Sequence, residues 1–69
     1  MQPNLKDKIR TALIFHAKGQ IAKHKINVIV LMENAQGVAE HPDVMETIEK
    51  ELDSIATYED RLDVLNKHF

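Results

Sequence analysis

Residues 35–46 read AQGVAEHPDVME, and the fold turns on them. Gly37 and Pro42 interrupt an otherwise periodic chain here, separating residues 4–34 from residues 43–69. Asn34 or Gly37 can adopt the left-handed conformation that closes a first helix. Pro42 then restricts the backbone just before a second helix. Asp43-Val44-Met45-Glu46 has the D-x-x-E form of a capping box, with Asp43 as cap and Glu46 reaching back. The alternative is His41 as cap with Pro42 at the first helical position. At the other end Asn4 can cap the first helix, with Asp7 three residues on. Two helices, about 4–34 and 43–68, joined by a turn over 35–42, follow from this punctuation.

In the second stretch Met45, Ile48, Leu52, Ile55, Tyr58, Leu62, Leu65 and Phe69 recur at spacings of three and four, a single apolar stripe near the heptad period. Glu46 and Lys50, then Asp63 and Lys67, stand four apart as favourable pairs on the polar side. The first stretch instead has two apolar series. One contains Leu5, Ala12, Phe15, Gly19, Ala22, Ile26 and Ile29, broken by Lys8; the other contains Ile14, Ala17, Ile21, His24, Val28 and Leu31. Ile26 and Val28 are about 200° apart on a helix, so the series lie on nearly opposite sides. One side can meet the second helix and the other would stay wet in a monomer. The reading that satisfies both is an all-α antiparallel hairpin, one domain over 1–69, dimerising into a four-helix bundle with Ile14, Ile21, His24, Val28 and Leu31 at the dimer interface. Exchanging the two faces would serve equally well. Residues 26–31, INVIVL, are β-branched enough to be read as a strand, with Gly19 weakening a helix upstream, but no second β-rich run exists to pair with it.

Size points the same way. A chain of 69 residues hides only roughly 60% of the surface its unfolded form exposes. It has no cysteine, so neither disulfides nor thiolate metal ligands can reinforce it, and cysteine nucleophilic catalysis is excluded. Hydrophobic residues make up 43%, with two Gly and two Pro, a composition that folds. The longest apolar run, Val28 to Met32, is far short of a membrane span, and MQPNLKDKIR lacks the apolar core of a signal peptide; a cytoplasmic location is the expectation.

Charge divides the chain. Residues 1–34 carry six basic groups and two acids, a net of +4, while residues 35–69 carry three basic groups and nine acids, a net of −6. Opposite halves suit antiparallel packing. They also mean that Lys18, Lys23 and Lys25, the candidates for phosphate contact along a basic edge, have acids nearby. The intervening segment is too long for a helix-turn-helix and all three aromatic residues belong to apolar stripes, so nucleic-acid binding is the alternative and not the preferred function.

No constellation marks an enzyme. His41, Asp43 and Glu46 include metal-ligand types, but no second ligand pair shares their helix face and the capping roles already employ them. An antiparallel register pairing residue i with 77 − i brings His24 near Asp53 and His16 near Asp60 or Arg61. No nucleophile motif accompanies them, and Ser54 stands in a regular helical stretch. His24 reads as a core or interface histidine; buried, it would make association sensitive to pH near about 6.5. No catalytic, metal or cofactor-binding residue is expected. The function expected is that of a small interaction or accessory protein, acting through homodimerisation and a helical partner.

The tract at residues 30–69, with its EHPD turn and LDVLNKHF end, resembles short helical proteins carried by contractile-tailed phages, most specifically over Gly37-Val38-Ala39-Glu40-His41-Pro42-Asp43. The resemblance implies a viral, helical protein working in the host cytoplasm, an accessory to replication or recombination genes, and it carries over no catalytic residue.

Overall fold

The computed structural model describes residues 4–34 and 43–69. They form two antiparallel helices, α1 (Leu5–Asn34) and α2 (Asp43–His68), in a rod of 57 × 19 × 11 Å. Asn4 caps α1 as its sequence position implies: its Oδ1 accepts the Asp7 amide at 2.9 Å and its carbonyl accepts the Lys8 amide at 3.1 Å. α2 starts at Asp43, which puts Asp43 and Glu46 in its first turn, where negative charge meets the positive end of the helix dipole. The choice between Asp43 and His41 as cap involves residues 41 and 42, outside the described residues, as do the turn over 35–42 and the metal reading of His41.

Residues 26–31 are helical. Packing outweighs their β preference, because the helix carries Val28 into the contact with α2.

That contact follows a strict alternation of four and three. On α1 this run is Arg10, Ile14, Ala17, Ile21, His24, Val28 and Leu31, and on α2 it is Val44, Ile48, Glu51, Ile55, Tyr58, Leu62 and Leu65; beside the two runs Gln20, Asn27 and Ser54 are half-buried as well. Ala17, Val28 and Ile48 are buried, and no side chain among the described residues is completely enclosed. Two helices lying side by side can cover each other along one seam only, so partial shielding is what this architecture permits. Cross-helix hydrogen bonds fix the register. Arg10 meets Asn66, and both His24 and Asn27 meet Glu51, pairs whose numbers add to 76, 75 and 78. The expected sum of 77 lies among them.

Two assignments change. Ile14, Ile21, His24, Val28 and Leu31, expected at the interface with a second copy, line the seam against the chain's own α2, and the series with Phe15, Ile26 and Ile29 faces outward. The cause is Glu51. Its carboxylate stands in the seam and needs donors, which the His24 side of α1 supplies through His24 and Asn27; the opposite side offers Ala22, Ile26 and Ile29 in that region. On α2, Met45 and Leu52 are 66% and 49% exposed, their expected places in the stripe being taken by Val44 and Glu51.

Candidate functional site

The polar group within the seam is built from both helices. His24 and Asn27, adjacent on one face of α1, both hydrogen-bond to Oε2 of Glu51; the Asn27 Nδ2 distance is 3.2 Å. His24 and Glu51 side chains are only 15% and 20% exposed. The hydrogen bond from His24, then the one from Asn27, holds the Glu51 carboxyl below the ordinary glutamate range. Desolvation pushes the other way, and the positive charges of protonated His24 and of Lys23 add smaller pulls downward. Tyr58, one turn to the C-terminal side of Ile55, stacks on His24 with ring centroids 6.4 Å apart and planes 16° from parallel. His16 meets the same ring edge-on at 5.8 Å, and the Arg61 guanidinium lies 4.9 Å from its centroid.

This arrangement differs in detail from the sequence expectation. His24 meets Glu51, whereas Asp53, about 200° further around α2, is exposed. His16 meets the Tyr58 ring, against which Arg61, one of its two expected neighbours, also lies. Asn27, Glu51 and the Arg10–Asn66 pair, joined at 2.7 Å, were not among the expected site residues. The signal for Glu51 is its spacing, since a run of 44, 48, 51, 55, 58, 62 and 65 keeps the four-three alternation that Leu52 breaks.

Chemically the cluster is a satisfied polar seam. The contacts of His24 Nδ1 and Asn27 Nδ2 with Glu51 join the two helices, and the Ser54 hydroxyl donates to the Lys50 carbonyl at 3.3 Å. Among the described residues no three His, Asp or Glu side chains gather as a metal-binding group.

Linkage gives a test of the cluster. A carboxyl whose folded pKa is depressed adds stability above its unfolded pKa of about 4.3, and that contribution is lost as pH falls through the folded value. Chemical denaturation between pH 7 and pH 3 is therefore expected to show a steeper loss for the wild type than for Glu51→Gln, which starts less stable at neutral pH. Parallel curves would mean that Glu51 gains nothing from His24 and Asn27.

The molecule also exposes apolar surface. Phe15, Ile26 and Ile29 on the outer face of α1 are 70%, 60% and 53% exposed. At the open end of the hairpin a cleft of about 510 Å³ lies among Leu5, Ile9, Leu13, Leu65 and Phe69, with Lys6 and Arg10 beside them. The basic edge does not assemble into one surface. Lys18 and Lys25 are a heptad apart on one flank of α1, and Lys23 is about 140° around the helix from Lys18, all three exposed. Among the described residues no helix is long and apolar enough to cross a membrane.

In the comparisons with known proteins, no family, curated protein or solved structure matches the chain.

Proposed function

We propose that this chain is a small helical interaction protein that works by pairing with a second copy through the outer face of α1, a surface that also suits an amphipathic helix of another protein. The observation that supports this reading is the apolar face opposite the seam. Phe15, Ile26 and Ile29 are more than half exposed, aligned on one side of a regular helix, and separated by the small residues Gly19 and Ala22. A contiguous apolar strip of this kind on so small a protein marks an association surface, whereas scattered exposed side chains would not. Because this face lies opposite the seam, pairing through it yields a four-helix assembly with the two α1 helices in the middle and the α2 helices outside. The viral origin and accessory role are carried forward on the resemblance of residues 30–69 alone.

Sedimentation equilibrium over a range of concentrations tests the proposal. The expected molar mass is that of two chains at micromolar concentration, falling toward one chain on dilution. A folded monomer at about 100 μM would end the self-pairing reading.

A further inference from the structure

The outer face of α1 carries its own register. Its apolar stripe is bounded by two charges of opposite sign, Lys8 near the helix start and Glu33 near its end. Both are exposed, and neither forms an ion pair among the described residues. We infer that the second copy lies antiparallel on α1, in the register that sets Lys8 of each chain against Glu33 of the other, so that residue i faces residue 41 − i. This inference rests on the self-pairing reading and adds direction and register to it.

Shape agrees with charge. In this register Gly19 faces Ala22 of the second copy next to the two-fold axis, and a Cβ built on Gly19 would meet nothing of its own chain within 4 Å. Small residues at the crossing let the helix axes approach closely. Further out, Phe15 packs against Ile26 of the second copy and Ala12 receives its Ile29, one small residue opposite one large. A parallel, in-register pair would oppose Lys8 to Lys8 and Glu33 to Glu33. The antiparallel register one heptad away, with i facing 34 − i, lays Ile26 against Lys8 and runs Glu33 past the end of the other α1. The inferred register does bring Lys18 toward Lys25 of the second copy on one flank. Both are long, exposed side chains that can splay into solvent, so the cost is small.

With no native cysteine, the chain is suited to cross-linking. Ala12→Cys and Ile29→Cys, prepared separately, alter exposed positions and are expected to keep the helical circular dichroism of the wild type. Mixed in equal amounts and mildly oxidised, they should yield covalent dimers in at least about half of the material, the statistical share of mixed pairs before exchange adds to it. Ala12→Cys alone should remain largely unlinked, because its two copies are 17 residues apart along the pair, about 25 Å. Ready linking of Ala12→Cys alone would overturn the antiparallel direction. Failure of the mixture to link while both variants sediment as dimers would overturn the register and leave pairing intact, whereas a monomeric wild type would overturn both. Charge reversal supplies an independent readout. Lys8→Glu places like charges at both ends of the pair and should weaken it roughly fivefold to tenfold, with Glu33→Lys in the same chain restoring affinity; a double variant no tighter than Lys8→Glu would also overturn the register.

Discussion

Val28→Asp is expected to unfold the hairpin. Val28 is 8% exposed and lies in the seam where the observed register brings Ile48 across from it, itself buried. A carboxylate there loses its water, and the donors nearest along the seam, His24 and Asn27, already serve Glu51. An unpaired charge in such a position costs several kcal/mol, which is comparable with the whole stability of a small domain. With the seam as the sole contact between the two described helices, α2 has no other surface to hold it, and neither helix is expected to persist alone to the same extent. Far-ultraviolet circular dichroism should show most of the helical signal gone at neutral pH. A variant that stays helical with an unchanged denaturation midpoint would remove Val28 from the seam.

The helices themselves are legible in the sequence. The pair Asn4 and Asp7, the breakers over 35–42 and the acids Asp43 and Glu46 set limits of about 4–34 and 43–68, and the structure has Leu5–Asn34 and Asp43–His68. Opposite charge in the two halves and simple hairpin geometry place the register within about one residue. The choice of face on α1 is a different matter. Two apolar series of similar strength run along it, so counting apolar residues leaves either side free to meet α2. What decides between them is polar. Glu51 occupies a seam position, and a carboxylate shielded there selects the side of α1 that offers His24 and Asn27 as donors. Reading Leu52 as the seam residue hides this, because an apolar side chain next to the correct position appears to complete the stripe. Met45 obscures Val44 in the same way. A rule that weights strict four-three spacing above side-chain polarity recovers both Val44 and Glu51.

Ile26→Asp is expected to do the opposite of Val28→Asp, separating two copies while leaving each hairpin folded. Ile26 is 60% exposed in the single chain, so a carboxylate at this position keeps much of its water and costs the hairpin little beyond a small loss of helix propensity. In the proposed pair the same side chain packs beside Phe15 of the second copy, and the two-fold axis repeats the contact. Each chain then loses apolar burial of about 1.5–3 kcal/mol, and the pair loses it twice, which corresponds to affinity weaker by roughly a hundredfold or more. Sedimentation should report a single chain at concentrations where the wild type is paired, with the circular dichroism and denaturation midpoint of a folded hairpin. The two substitutions therefore work as a crossed pair, since they sit two residues apart on opposite sides of one helix. A paired, fully helical Ile26→Asp together with a folded but unpaired Val28→Asp would exchange the faces, making the inner series the surface between copies. Loss of helix in both variants would mean instead that the hairpin folds only as part of the pair, so that the outer face of α1 is as necessary to the fold as the seam.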